Sequence, residues 1–213
     1  MTRPVLTKVK ICGVNAPDAL AAAAAAGADW VGFVFFPPSP RALSPAQAAS
    51  LSATHPGGPA RVGLFVDPED DDVAAVLAAL RLDALQLHGV GAERAQAIRN
   101  RFGLPVWHAI GVESRADLPQ TSTGVDWLLL DAKAPIDAEL PGGNAQSFDW
   151  SVLRGWTAPA PWLLAGGLTP ENVRQAVETS GAPAVDVSSG VERGRGIKDG
   201  ALIRAFVAAA KGT

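Results

Sequence analysis

Short apolar runs alternate with helix-forming runs along the whole chain. The apolar runs fall at 8–12, 29–36, 61–67, 83–88, 105–110, 125–131, 162–165 and 184–188, and their length and residue types predict strands. Helices are expected over 17–26, from Pro45, from the acidic turn 69–72, over 92–102, around 148–155, over 170–180 and over 199–211, with a weak helix or turn near 114–118. The punctuation agrees. Gly27 closes the alanine-rich first helix, and Ser44-Pro45 reads as N-cap and first helical residue. Glu69-Asp70-Asp71-Asp72 places negative charge where a helix dipole favours it. A loop stiffened by Pro37, Pro38 and Pro40 leads to Arg41, and a long loop spans 132–147.

Eight strand–helix units with no composition break, charge block or linker predict one α/β domain over 1–213, a closed (β/α)8 TIM barrel. Its size is near the lower end of the roughly 200–400 residues usual for that fold. An open doubly wound sheet is the alternative for the same pattern. Strands covered on both faces are continuously apolar, so polar exceptions carry information. Alternate side chains share a face. Val9 and Ile11 are assigned outward against helices, and Lys10 and Cys12 inward. In the last strand Asp186 and Ser188 alternate with Val185 and Val187, and closure sets that strand beside the first. A buried lysine needs a counter-charge, so Lys10 is expected to pair with Asp186, the alternative being a snorkelling side chain. Gln86 and His88 alternate with Leu85 and Leu87, which points His88 inward near the mouth.

Composition narrows the setting. Hydrophobic residues make up 48% and charged residues 18%, below the ~25% charged that soluble domains usually carry, so buried charge should be sparse and purposeful. The net charge of -3 offers no basic footprint for nucleic acid. One cysteine excludes an internal disulfide framework and fits a reducing cytoplasm. The first residues, Met1-Thr2-Arg3-Pro4, lead into a strand rather than a signal core, and the alanine run 21–26 is too short to span a bilayer. A cytoplasmic protein without a membrane partner is expected. His55, His88 and His108 lie far apart with no paired metal-ligand spacing, and neither glycine-rich nucleotide loop occurs.

Barrel enzymes build their sites at the carboxyl ends of the strands. Here those ends carry Cys12, the loop to Arg41, Asp67, His88, Asp131, Gly166-Gly167 and Ser188-Ser189-Gly190. Glycines admit close backbone approach and serine hydroxyls add donors, so Gly166, Gly167, Ser188, Ser189 and Gly190 read as a phosphate grip. Residues 190–197 are the candidate for the short helix such grips use; a bare tight turn before Thr169 is the plainer reading. Asp131 ends the apolar run Trp127-Leu128-Leu129-Leu130, where desolvation would raise its pKa from ~3.9 into the range of a usable acid. The alternative is a loop-capping carboxylate. Arg41 is a clamp for carboxylate or phosphate, or a solvated surface residue. His88 is a ligand-facing residue or a hydrogen-bonded core histidine, and Asp67 a mouth residue or the cap of the third helix. Cys12 alone is either reactive or a buried filler.

Taken in order, several stretches resemble the phosphoribosylanthranilate isomerase family. They are Val9-Lys10-Ile11-Cys12-Gly13, Gly27-Ala28-Asp29 through Val31-Gly32-Phe33-Val34-Phe35, Ser39-Pro40-Arg41 and Arg61-Val62-Gly63-Leu64-Phe65-Val66. They continue with Leu85-Gln86-Leu87-His88-Gly89, Leu129-Leu130-Asp131 and Phe148-Asp149-Trp150. The most specific are Gly166-Gly167-Leu168-Thr169-Pro170-Glu171-Asn172-Val173 and Val185-Asp186-Val187-Ser188-Ser189-Gly190-Val191-Glu192. The resemblance implies Cys12 as general base, Asp131 as general acid, Arg41 at the anthranilate end, and the loops of strands 7 and 8 at the phosphate. It implies an Amadori rearrangement of a phosphosugar-anthranilate in tryptophan biosynthesis, without a cofactor. Monomer or weak homodimer is the expected assembly.

One stretch departs from the family. Before Phe148 the family carries G-[GS]-x-G-K-[TA], whereas this chain reads Gly142-Gly143-Asn144-Ala145-Gln146-Ser147, without the second glycine and the lysine. The departure bears on how that loop closes over substrate. A good thiol base near neutrality needs a lowered pKa, expected here more from loop N–H groups than from Lys10. Rival readings are other phosphosugar barrels, such as an indole-glycerol-phosphate synthase or an aminoaldose isomerase, and a phosphosugar-sensing module. The synthase is expected to bring a lysine and glutamates to its strand ends, and the aminoaldose isomerase two aspartates.

Overall fold

The computed structural model describes residues 7–121, 124–133, 142 and 146–212. Eight parallel strands close in sequential order: β1 (Lys8–Cys12), β2 (Trp30–Val34), β3 (Ala60–Val66), β4 (Ala84–His88), β5 (Val106–Val112), β6 (Trp127–Ala132), β7 (Trp162–Leu164) and β8 (Ala184–Val187). β8 returns to pair with β1, which excludes the open sheet. α1 (Pro17–Ala25), α2 (Pro45–Ala53), α3 (Asp70–Ala79) and α4 (Ala92–Phe102) follow the first four strands; α5 (Val173–Ser180) follows β7, and α6 (Gly200–Lys211) closes the fold. Strand ends differ from the sequence expectation by a residue or two, within the fraying of such boundaries.

The second half is less regular than the pattern suggests. The helix expected at 148–155 is a 3-10 turn, Trp150–Leu153. The Asp149 carboxylate takes the Ser151 N–H at 2.9 Å, and Gly155 follows at φ 66. A side chain that competes for backbone N–H groups, with a glycine close behind, leaves no room for a full helix. Arg115–Asp117 is likewise a single 3-10 turn. Residues 190–197 do not form a helix. A turn at Ser189–Val191 leads into an antiparallel hairpin, β9 (Glu192–Gly194) and β10 (Ile197–Lys198). Gly196 at φ 78 suits a tight hairpin turn and weakens a helix.

The helix starts follow local chemistry. Ser44 and Gln47 cap α2 reciprocally, at 2.8 and 3.2 Å. Asp67 is not the cap of α3: that position is Glu69, whose N–H donates to Asp72 at 3.0 Å. Asp67 instead turns the chain at φ 42, and its N–H bonds the His88 carbonyl.

Strand parity is as the sequence implies. Val9, Ile11, Leu85 and Leu87 are fully buried in the layer shared with Leu20, Ile98 and Phe206 of the helices. Inside, the amino-terminal end of the barrel is plugged by Trp30, Trp107 and Trp127, with ring centroids 5.1–5.6 Å apart. Lys8 Nζ lies 5.4 Å from the Trp30 ring. That apolar plug leaves the opposite end for polar chemistry. Among the described residues no helix is long and apolar enough to cross a membrane.

Candidate active site

Cys12 ends β1, where its side chain is buried. Lys10 lies two residues below on the same inward face, with no solvent exposure, and its Nζ is 2.8 Å from Asp186 Oδ1. The β1–β8 register sets Lys10 directly against Asp186, so the ion pair follows from closure and the snorkelling alternative fails. Gly32 pairs with Cys12 on the other side. A Cβ at position 32 would stand 3.0 Å from Cys12 Sγ and 3.1 Å from Lys10 Nζ. The missing side chain is what lets ammonium and thiol share one space.

The electrostatics correct one expectation. Burial pushes the Cys12 thiol above its ordinary value; Lys10 and Lys198 oppose this, while Asp186 adds to it. Loop N–H groups do not lower it, because those of Gly13 and Val14 both donate to the Gly32 carbonyl, at 2.9 and 3.0 Å. Burial also disfavours charge on Lys10, but Asp186 and the neighbouring thiol outweigh it, and the ammonium is held more firmly than usual.

Asp131, near the end of β6, has its pKa raised to about 7, chiefly by burial and then by the charge of Asp186; the Ala132 N–H and Lys10 pull the other way. Its Oδ1 accepts the Ala132 N–H at 2.8 Å. Two glycines press against it: a Cβ on Gly166 would come 3.0 Å from Oδ1, and one on Gly142 2.6 Å from Oδ2. His88 points inward as expected. Burial, then Lys10 and His108, lower its pKa to about 3, so the ring is neutral. Its Nε2 is 2.8 Å from Gln86 Nε2, which makes that ring nitrogen the acceptor. His88 therefore lines the site as a neutral polar wall.

Arg41 is buried, not solvated. Its Nε and Nη2 donate to the two carboxylate oxygens of Glu192 at 2.6 and 3.0 Å. The edge that would clamp a ligand bidentately is thus already occupied. Sequence reasoning assigned no role to Glu192 or Lys198, which sit in a run of glycine and arginine without periodicity. Only the hairpin brings them here.

Two hollows adjoin at the mouth. One is lined by Gly166, Gly167, Ser188, Ser189, Gln146 and Lys133, among others. Among the described residues, the N–H groups of Gly166, Gly167 and Ser189 make no hydrogen bond. Gly166 and Gly167 take φ 87 and 61, a conformation glycine adopts freely. Gly190 does not line this hollow; it packs on the Leu168 carbonyl, where any Cβ would collide. Its part is to let the β7 and β8 loops touch. The other hollow has apolar walls of Val34, Phe36, Leu64 and Val66, with Cys12, Arg41 and His88. Asp131, Gly142, Asp186 and Ser188 border both. Of the departing loop, Gly142 and Gln146 reach the site; residues 143–145 lie outside the described residues.

A closed (β/α)8 barrel with a thiol, a protonatable carboxyl and glycine-rich loops at its carboxyl-terminal mouth defines the class: a barrel enzyme acting on a small molecule. Comparison with known proteins gives the family. The model described as N-(5'phosphoribosyl)anthranilate (PRA) isomerase matches residues 9–209. An N-(5'-phosphoribosyl)anthranilate isomerase of Granulibacter bethesdensis is 54% identical over 207 residues, spanning 97% of this chain and 99% of that one. A crystal structure of monomers generated from the dimeric phosphoribosylanthranilate isomerase of Thermotoga maritima superposes with a TM-score of 0.83 at 37% identity, covering 98% of this chain and 100% of that one. A phosphoribosyl anthranilate isomerase in complex with reduced 1-(o-carboxyphenylamino)-1-deoxyribulose 5-phosphate does so with a TM-score of 0.83 at 35% identity, covering 98% and 100%. The chain belongs to the N-(5'-phosphoribosyl)anthranilate isomerase family.

Proposed function

We propose that this protein converts N-(5-phosphoribosyl)anthranilate into 1-(2-carboxyphenylamino)-1-deoxyribulose 5-phosphate, the third step from chorismate in tryptophan biosynthesis. The observation that carries this reading is Asp131, a carboxyl with a pKa of about 7 that borders both hollows. The phosphate sits against the free amides of Gly166, Gly167 and Ser189, the aromatic ring between the apolar walls, and the sugar between them. Asp131 gives its proton to the furanose oxygen as the C1–O bond breaks, and the nitrogen lone pair forms the imine. Cys12 as thiolate then takes the C2 proton. The resulting enolamine tautomerises to the ketone, so C1 is reduced as C2 is oxidised and no outside redox partner is consumed.

The thiolate must form against burial. Lys10 and Lys198 supply favourable charge, and the cationic imine adds to it at the moment the base is needed. His88 and Asp186 shape the sugar site. The protein works in the cytoplasm as a monomer or weak homodimer on a small-molecule substrate, without nucleic acid, membrane or cofactor.

Cys12→Ala and Asp131→Asn should each fold normally and lose turnover by roughly a thousandfold, within the range that general acid–base groups contribute. The assay couples anthranilate and phosphoribosyl pyrophosphate through the transferase and follows the fall in substrate fluorescence. Near-wild-type rates in either variant would sink the assigned roles.

A further inference from the structure

Behind the apolar hollow, three charged side chains are packed away from water. The side chains of Arg41, Glu192 and Lys198 are 6%, 4% and 0% exposed. Glu192 accepts from Arg41 at 2.6 and 3.0 Å, from Lys198 Nζ at 2.8 Å and from the Gly196 N–H at 3.0 Å. Arg41 borders the hollow, whereas Glu192 does not. The β9–β10 hairpin makes this possible: Lys198 stands opposite Glu192, with a register shift between Ile197 and Lys198.

Arg41 has little freedom. A Cβ on Gly13 would come 2.5 Å from its Cδ, and one on Gly196 would come 2.7 Å from the carbonyl of the preceding Pro40. Two glycines thus close around the arginine and its loop. Among the described residues Nη1 has no hydrogen-bond partner. Two buried cations share one carboxylate, so the cluster is one negative charge short, and such a site favours an anion. On the function proposed above, the substrate group of that sign nearest the apolar walls is the ring carboxylate. Lys198 also donates to the Ser188 carbonyl at 2.8 Å and its hydroxyl at 3.2 Å, which ties the cluster to the β8 loop.

With Arg41 at the anthranilate end, as the family resemblance implies, we propose that Glu192 is a positioning residue that presents the guanidinium edge-on, so that Nη1 meets the substrate's ring carboxylate. Lys198 supplies the charge that leaves room for that anion, and through Ser188 it sets the spacing between the carboxylate and phosphate ends. This inference rests on the function proposed above.

The test compares N-(5-phosphoribosyl)anthranilate with N-(5-phosphoribosyl)aniline, which lacks the carboxylate. Wild type should prefer the first by at least about tenfold in kcat/KM. In Glu192→Gln, KM for the anthranilate substrate should rise about tenfold with kcat within about threefold, and both constants for the aniline substrate should stay within about twofold of wild type. Glu192→Asp keeps the buried charge balance, and so the fold, but draws the carboxylate back; it should show the same pattern, smaller. Equal losses on both substrates, or a loss in kcat alone, would overturn the positioning role. A wild type that turns over both substrates equally would overturn the pairing of Arg41 with the carboxylate, and this proposal with it. A wild type inactive on both would overturn the proposed function itself.

Discussion

Position 32 shows how a residue without a side chain can decide chemistry. The lysine and the cysteine are brought within reach of each other because Gly32 leaves their space open. Gly32→Ala should therefore lower kcat/KM by about tenfold and cost about 1–3 kcal/mol, as overpacking a close-packed site does; activity and a denaturant midpoint on one sample check both. The proposed acid and base lie in an unusual order, with Asp131 raised to about 7 and Cys12 above the ordinary thiol value. The form with Asp131 protonated and Cys12 ionised holds one proton between them, and the one-proton population dominates between the two pKa values. In kcat/KM, the pH profile should rise through an acid limb near 7 and fall only above the ordinary thiol pKa. A rise completed below about pH 5 would contradict this order. The sequence placed both groups at the mouth by parity and strand ends. It did not give their pKa values, which depend on what is packed around them.

Loops are where local signals and outcome part. The β7 loop was legible in part: glycines for close approach, then a helix expected from Pro170 behind Thr169, which the structure starts only at Val173 with Asn172 at its N-cap. The structure adds that Asn172 braces the loop, accepting the Thr169 N–H at 2.8 Å and donating to the Gly167 carbonyl at 2.9 Å. Asn172→Ala should loosen the amides proposed to face the phosphate. Inorganic phosphate should then inhibit several-fold more weakly, with a stability loss of about 1 kcal/mol. Competition assays and thermal unfolding separate the two effects. The hairpin after β8 was not legible. Its glycines and arginines show no alternation, and its shape comes from Glu192 being drawn inward to Arg41 and Lys198.

Barrel closure is secured where the ends of the sheet meet. Lys10 and Asp186 are 176 residues apart in the chain and pair across the β1–β8 seam. Removing one partner of such a pair leaves a buried charge uncompensated, so Lys10→Met should cost about 3–5 kcal/mol. The double variant Lys10→Met with Asp186→Leu should recover most of that in denaturant titration, since an apolar pair of similar volume replaces a buried ion pair at little cost. It should not recover activity, because Cys12 loses the stronger of its two cationic neighbours. Recovery of both would show the pair to be structural alone.

The order of strands, the inward and outward faces, and the candidates at the strand ends followed from the sequence by itself, because a strand repeats every two residues and a barrel numbers its strands in order. Even the Lys10–Asp186 pair could be read, since closure makes the first and last strands neighbours. What tertiary structure alone decided is the environment of each group. Glu192 meets Arg41 across 151 residues through a hairpin with no local signature. The thiol's neighbours are two lysines rather than loop amides, and the rise of Asp131, anticipated from the sequence, gains a further push from the charge of Asp186 across the barrel. Desolvation and Coulomb interaction depend on distance in space, and a linear pattern does not carry that distance.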